Sequence, residues 1–472
     1  MIQTIINNRP ESFELPAGTV LLDVLRNYMK LKGTKEGCRE GDCGSCMVLW
    51  GKMQAHRIEY RTVNSCLFPL GDAEHTHVVT IEGLNGETLN PIQQAIVDDG
   101  ASQCGFCTPG FVISMTGYLL QARTLDLPAA IAFLAGNICR CTGYTSIIRA
   151  MARSLNLINS DEFAHSYPDT RISFLVQQKF LPEYFLSIPD RIQSLPTSPN
   201  QLSGQPVIMA GGTDFYRQQG EDVPDANVML LSREANFKGI YIENNQCVIR
   251  AATTITELET SEIIQHAWPD FKKYIHLISC PSIRNRATVG GNIINASPIG
   301  DLSIMLLALE ATVVLKQNDQ MRTVKLKDFF RGYKQLDKSP AELLHSITFP
   351  IPPKSGRFNF EKVSRRTHLD IASVNSAILI SMENNFINEM HLAAGGVAPI
   401  PCYLAKASAF LKNKALNREN VAATIDFALS EVTPITDVRG TAGYKKLLLK
   451  QLILAHFVTL FPKMSEAENI QA

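Results

Sequence analysis

Eight of the eleven cysteines in this 472-residue chain fall into two sets whose spacing suits metal chemistry. In residues 101–145, Cys104 and Cys107 make one close pair and Cys139 and Cys141 another. Each pair stands where a helix should begin. Thr108 reads as an N-cap with Pro109 at the first helical position, where a missing N–H costs nothing. Phe111, Val112, Met115, Leu119 and Leu120 then recur at helical spacing. After Cys141, Thr142 and Gly143 turn the chain into a helical run through Ile147, Ile148 and Met151. Helix N-termini concentrate positive potential, so two of them carrying thiolates favour an anionic centre. Four such thiolates suit either a [2Fe–2S] cluster or a tetrahedral zinc. Upstream, Cys38, Cys43 and Cys46 follow C-x4-C-x2-C with Cys66 beyond, a [2Fe–2S] spacing. Gly37, Gly41 and Gly44 let backbone N–H groups turn toward those sulfurs. Two complete quartets read as two [2Fe–2S] centres, and structural zinc in both is the non-enzymatic alternative. Cys247, Cys280 and Cys402 stand singly and are expected to be buried thiols.

The second half offers glycine pairs rather than thiols. Gly211–Gly212 and Gly290–Gly291 each follow a β-rich run and read as Gly-Gly turns. Such turns let backbone N–H groups approach a pyrophosphate, with Thr213, Thr288 and Asn292 supplying short polar side chains nearby. Asp301 could accept hydrogen bonds from a ribose or adenine. Ordinary turn use is the competing reading, and the GxGxxG fingerprint of a Rossmann fold is missing.

Elements that could position these groups follow in order. Residues 1–20 read as a hairpin, IQTIINN and SFEL with a PAG turn, and Leu21, Leu22, Leu25 and Met29 share a helical face. With the strands MVLW and HRIEYRTVNSC, this predicts a β-grasp ferredoxin module over 1–85. A helical module carrying the second cysteine set is expected over 86–160. Residues 161–178 show no period and read as a linker. Strand–turn–helix patterns continue over 179–352, and alternating strands precede helices over 356–465, the order of an α+β domain.

The bulk numbers narrow the partners. Forty-five basic and 45 acidic residues cancel, no basic patch points to nucleic acid, and no apolar run is long enough for a membrane span. The N-terminus lacks the pattern of a secretory signal, so a reducing cytoplasm is expected.

The motifs GCREGDCGSC (37–46), SCLFPL (65–70), QCGFCTPG (103–110), NICRCTGY (137–144), AGGTDF (210–215), RNRATVGGNI (284–293), ASPIGDLS (296–303), LDIASVN (369–375) and ITDVRGTAGYKKLL (435–448) resemble the xanthine dehydrogenase (molybdenum hydroxylase) family, especially its bacterial small subunits. The resemblance implies a multidomain α+β chain. Its parts would be a β-grasp [2Fe–2S] ferredoxin domain, a four-helix [2Fe–2S] domain, an FAD-binding domain of the vanillyl-alcohol-oxidase (PCMH) type, and a C-terminal α+β domain like that of the CO-dehydrogenase flavoprotein. It implies that Ile208, Met209, Ala210, Gly211, Gly212, Thr213, Asp214 and Phe215, with Thr288, Val289, Gly290, Gly291 and Asn292, line the FAD diphosphate. Asp301 would hold the adenosine side, and Ile278, Leu344 and Lys362 would lie near the flavin ring. A molybdopterin-binding large subunit is the implied partner, in a heterodimer or a dimer of heterodimers. Hypoxanthine or xanthine would be oxidised there to urate, with electrons passing through two clusters to FAD and NAD+. Another molybdenum hydroxylase substrate, an aldehyde or N-heterocycle, or O2 or a quinone as acceptor, are the alternatives. Met47 and the segment Thr367–Leu369 depart from the family pattern.

Overall fold

A computed structural model describes residues 1–196, 206–220, 227–268, 270–353, 355–383 and 386–462. They divide into two compact units, residues 1–233 with 279–287 and residues 234–278 with 288–472. This division cuts through the stretch 179–352 that sequence pattern joins together. The expected end of the last domain, 465, lies outside the described residues.

The first unit begins with strands β1 (Ile2–Ile6), β2 (Arg9–Phe13), β3 (Met47–Gln54), β4 (Arg57–Asn64) and β5 (His77–Val79). They form one sheet in the order β2-β1-β5-β3-β4, with β1 and β5 parallel and the other pairs antiparallel. The opening hairpin turns at Asn7–Asn8, with Asn7 at φ 54°, whereas PAG lies beyond the second strand. Strand alternation divides the apolar side chains between two layers. Ile6, Val48 and Val78 pack with Leu21 and Leu25 on one face. Ile5, Leu49 and Val79 face a layer of helices on the other.

That layer holds α1 (Pro91–Asp98), α2 (Thr108–Gln121), α3 (Leu127–Phe133) and α4 (Thr145–Asn156). Every residue of α2 from Gly110 to Leu120 is buried, so this helix is enclosed on all sides. Two further helices, α5 (Ser160–His165) and α6 (Arg171–Gln177), occupy the stretch that reads as a linker. Phe163, Leu175 and the Arg171 side chain are buried in the same core. Their helices are too short to display a period, and a buried arginine disguises the apolar face. Segment 279–287 also belongs to this unit. Asn285 donates to the Thr62 carbonyl of β4 at 2.9 Å.

Among its described residues the second unit has three antiparallel sheets, the smallest being the pair Phe330–Gly332 and Gln335–Leu336. Another orders the strands Gln320–Lys325, Thr312–Gln317, Leu343–Pro350, Gln246–Arg250 and Ile240–Glu243. The third runs Gly356–Val363, Val374–Glu383, Phe386–Gly395 and Cys402–Tyr403. Helices Arg418–Ser430 and Ala442–Leu460 share a core with the latter through Val421, Ile425, Leu449, Ile453 and Phe457. The second Gly-Gly pair is not a turn. Gly290 and Gly291 lie in the first turn of the helix Val289–Asn295, capped by the Thr288 hydroxyl.

Candidate functional site

The loop between Gly37 and Cys46 brings the first quartet together. Cys46 and Cys66 place their sulfurs 3.3 Å apart, and both are buried. Cys38 and Cys43 hydrogen-bond to each other and are half-buried. The Glu40 N–H points to the Cys38 sulfur at 3.3 Å, and the Ser45 hydroxyl lies 3.1 Å from that of Cys43. In each pair the shared hydrogen bond splits the thiols. Cys43 is drawn down to about 6 while Cys38 is pushed up. Cys46 is lowered and Cys66 raised in the same way.

The second quartet pairs differently from its sequence motifs. Cys104 meets Cys141 at 3.6 Å, and Cys107 hydrogen-bonds with Cys139. Each pair therefore joins the loop before α2 to the loop before α4. Cys107 itself is the N-cap of α2, one residue earlier than Thr108, and its side chain makes no capping bond. Cys139 receives the N–H groups of Cys141 and Thr142 at 3.4 and 3.5 Å and the Thr142 hydroxyl at 3.2 Å. These donors hold Cys139 below its ordinary value although burial works against them. Burial pushes Cys107 up to about 12, with the bond to Cys139 as the second cause. Cys104 and Cys141 are exposed.

Donors aimed at sulfur suit a centre carrying negative charge. Two thiol pairs per set supply the four thiolates that a two-iron cluster would take. Among the described residues, no three His, Cys, Asp or Glu side chains converge on a single-ion position. Ser45 and Thr142 are sulfur partners that sequence reasoning did not single out; a hydroxyl two residues after one ligand or directly after another was the available signal. Cys247 and Cys280 are fully buried and Cys402 is half-buried, and all three are free thiols.

The glycine loops lie in different units. In the first, strand Val207–Met209 leads through Ala210–Gly212 into the helix Thr213–Gln219, whose first turn holds Asp214 and Phe215. Arg286 fixes this turn. Its guanidinium donates to the Gly211 carbonyl at 3.3 and 3.2 Å and forms a buried ion pair with Asp72. It also lies 4.7 Å from the Phe68 ring centroid, and Ser232 donates to Asp72 at 2.6 Å. A Cβ on Gly211 would collide with the Arg286 carbonyl oxygen, so close backbone approach alone requires glycine there. Among the described residues, no hydrogen bond takes the N–H of Gly211, Gly212 or Thr213. Those donors can face a phosphate.

In the second unit the N–H groups are already used. Val289 donates to Thr253, Gly290 to Ala251 and Asn292 to Thr288, all at backbone carbonyls, and Gly291 donates to the Thr288 hydroxyl. The expectation that the Gly290 and Gly291 amides reach a diphosphate is thereby corrected. What this helix start offers instead is the Thr288 hydroxyl proton, the Asn292 side chain and close approach at Gly291, where a Cβ would meet only Thr288 Oγ1, at 2.9 Å. Asp301 does not stand free. Its carboxylate accepts from Lys362 and Asn375 at 2.7 and 2.6 Å, while burial pushes its pKa up against both. Lys362 also donates to the Leu277 carbonyl at 2.8 Å. Ile278 and Leu344 are buried, at 8% and 4% exposure.

Four family models match in chain order. They are the 2Fe-2S iron-sulfur cluster binding domain (4–70), the [2Fe-2S] binding domain (80–152), the FAD binding domain in molybdopterin dehydrogenase (184–352), and the CO dehydrogenase flavoprotein C-terminal domain (359–459). These four domains, in this order, are those of a molybdenum hydroxylase small subunit with iron–sulfur and FAD domains. The chain carries two [2Fe–2S] domains and an FAD-binding domain. It is similar to xanthine dehydrogenase 1 of Arabidopsis thaliana, 28% identical over 96% of this chain and 39% of that protein. It is similar to xanthine dehydrogenase/oxidase of Rattus norvegicus, 27% identical over 95% and 38%. The chain thus spans about two fifths of the length of these relatives. Among solved structures, it resembles a carbon monoxide dehydrogenase from Hydrogenophaga pseudoflava lacking the Mo-pyranopterin moiety, with 28% identity, a TM-score of 0.51, and coverage of 53% of this chain and 88% of that one. Quinoline 2-oxidoreductase from Pseudomonas putida 86 shares the fold, at 21% identity and a TM-score of 0.50 over 54% and 90%. No helix among the described residues is long and apolar enough to cross a membrane.

Proposed function

We propose that this chain is the iron–sulfur and FAD electron-transfer subunit of a cytoplasmic xanthine dehydrogenase. Its partner would be a molybdopterin-binding large subunit that oxidises hypoxanthine and xanthine to urate, with NAD+ as the acceptor. The observation that carries the reading is the presence of two thiol quartets, each paired for a two-iron cluster, on a chain that also bears an FAD-binding domain. Likeness to xanthine dehydrogenases over nearly all of its length supports the choice of substrate.

When bound, the clusters supply one-electron transfer and the flavin supplies exchange between single electrons and a hydride. The chain's own residues hold and shield those groups. Cys38, Cys43, Cys46 and Cys66 would hold one cluster, and Cys104, Cys107, Cys139 and Cys141 the other. Thr142 and the backbone N–H groups aimed at sulfur would stabilise negative charge on a cluster held there. Toward FAD, the free N–H groups of Gly211, Gly212 and Thr213 would bind the diphosphate, within the assigned segment Ile208 to Phe215. Thr288 and Asn292 would add side-chain donors, flanked by Val289, Gly290 and Gly291. Asp301 would use its remaining lone pairs on the adenosine side while Lys362 and Asn375 hold it in place. Ile278 and Leu344 would border the flavin ring together with Lys362.

A second reading changes the substrate or acceptor. The likeness to carbon monoxide dehydrogenase favours a related molybdenum hydroxylase whose electrons go to a carrier other than NAD+. Affinity purification from the native host decides between them. The expected result is a co-purifying molybdopterin subunit, two [2Fe–2S] clusters per chain, and xanthine-dependent NAD+ reduction. Turnover of carbon monoxide or a quinoline without activity on purines would overturn the substrate. A colourless zinc protein would overturn the relay.

A further inference from the structure

The two cysteine loops touch each other in the first unit. The Ile138 N–H, next to Cys139, donates to the Cys43 carbonyl at 3.0 Å. One hydrogen bond therefore links a ligand of the first quartet, through a single intervening residue, to a ligand of the second. Beside it, the Asn137 amide donates to the Gly44 carbonyl at 3.4 Å and accepts from the Ser114 hydroxyl at 2.7 Å. Asn137 and Ser114 are 5% and 1% exposed, so neither polar group serves solvent.

The surroundings are shaped for this approach. Gly44 sits at φ +68°, and a Cβ on it would collide with the Gly136 carbonyl and Asn137. A Cβ on Gly110, in the first turn of α2, would collide with the Gly44 carbonyl. Any side chain at either position would push the loops apart. A buried amide that spends both ends on this junction is poorly explained by packing alone, since an apolar residue would fill the space without needing two partners.

We propose that Asn137, oriented by Ser114, is a positioning residue that holds the Cys43–Ile138 hydrogen bond closed and so sets the electronic coupling between the two centres. The proposal rests on both quartets holding [2Fe–2S] clusters. A single electron passing between the two centres would break no bond and move no proton, so at a fixed driving force and reorganisation energy its rate would follow the separation and contact of the two loops. The donor to Gly44 clamps the first loop, and the acceptor for Ser114 fixes the carboxamide's orientation from α2.

The test uses the full chain. Iron and labile sulfide are measured first in the wild type and in Asn137→Ala, Asn137→Asp and Ser114→Ala. Wild type lacking iron would defeat the cluster reading itself and not this inference. Electron redistribution between the two centres is then followed by rapid-freeze EPR after a radiolytic pulse that delivers less than one electron per chain. Asn137→Asp keeps the bond from Ser114 but loses the donor to Gly44. It should retain both clusters yet slow redistribution severalfold, because losing the donor to Gly44 lets the two loops separate. Ser114→Ala should fall between it and the wild type. Unchanged redistribution in any Asn137 variant with full iron content would overturn the proposal. So would loss of iron in both Asn137 variants, which would mark the residue as purely structural.

Discussion

Replacing Arg171 with methionine should destabilise the first unit by about 4 kcal/mol, although residue 171 lies between two of the matched domains. The guanidinium is 2% exposed and lies 3.4 Å above the centroid of the Phe163 ring. It donates to the carbonyls of Leu119 and Ala122 at 2.7 and 2.9 Å, to that of Phe163 at 2.7 Å, and to the Ser166 hydroxyl at 2.8 Å. Leu119 and Ala122 close the C-terminal end of α2, where carbonyls lack intrahelical partners and a cation complements the helix dipole. Methionine fills similar volume but leaves the Leu119 and Ala122 carbonyls unpaired, at about 1–3 kcal/mol for each group that water cannot reach, while the Phe163 carbonyl keeps the Ser166 hydroxyl at 2.8 Å. The sum is capped because the site relaxes and because the wild type already strains to keep a charge in place. Burial draws the guanidinium down to about 10. For a unit of this size, about 4 kcal/mol corresponds to a Tm lower by roughly 10 °C. Thermal unfolding followed by circular dichroism and by cluster absorbance would read it. Since α2 begins at Cys107, bleaching of the second cluster should accompany the lowered transition. Arg171→Lys, which keeps charge but not the planar fork, should recover only part of the loss. A Tm drop of less than about 2 °C for Arg171→Met would refute the reasoning, because two unpaired buried carbonyls cannot be that cheap.

The glycine loops should respond differently to a side chain. Gly291→Val, whose Cβ would meet only the Thr288 hydroxyl oxygen, should fold with a small shift of that side chain and retain both clusters while binding FAD weakly; normal FAD affinity would remove Gly291 from the cofactor site. Gly211→Ala, which collides with the Arg286 carbonyl, should lower solubility and Tm whether or not FAD is present, and an unaffected apo-protein would contradict the close packing of that turn. His77 is buried, with one ring nitrogen facing the Tyr60 hydroxyl and the other the Asn7 carbonyl, and burial holds its pKa down to about 3. The unfolded chain therefore binds the proton first. Stability from this group is complete above about 6.5 and lost as pH falls toward 3, by roughly 4–5 kcal/mol. Urea midpoints across that range should decline less steeply for His77→Gln, and parallel slopes would show that His77 does not carry the effect.

The cysteine chemistry was legible because ligand identity and loop spacing are local properties. The spacing of Cys38, Cys43 and Cys46 and the helix signals after Cys107 and Cys141 required no knowledge of distant residues. The opening hairpin was likewise legible, whereas the two layers on which Ile5 and Ile6 separate came only from the structure. Pairing was not local. Cys104 meets Cys141 rather than its neighbour Cys107, because two loops converge when α2 and α4 pack, and sequence distance says nothing about that. The Gly290–Gly291 pair reads as a turn, yet the long-range bond from Gly290 to Ala251 and the cap from Thr288 draw it into a helix and use up its donors. Residues 161–178 look like a linker since Arg171 is charged. Only the tertiary structure supplies the carbonyls of α2 that make a buried arginine favourable. Asp301 shows the same limit. Its type and its place after a glycine suggest an exposed acceptor, and the fold instead brings Lys362 and Asn375 from strands more than sixty residues away to engage it. The sequence by itself determined which groups can bind iron and where the domains' local elements begin. The tertiary structure decided which donors remain free, because a hydrogen bond, once made to a distant partner, is no longer available to a ligand.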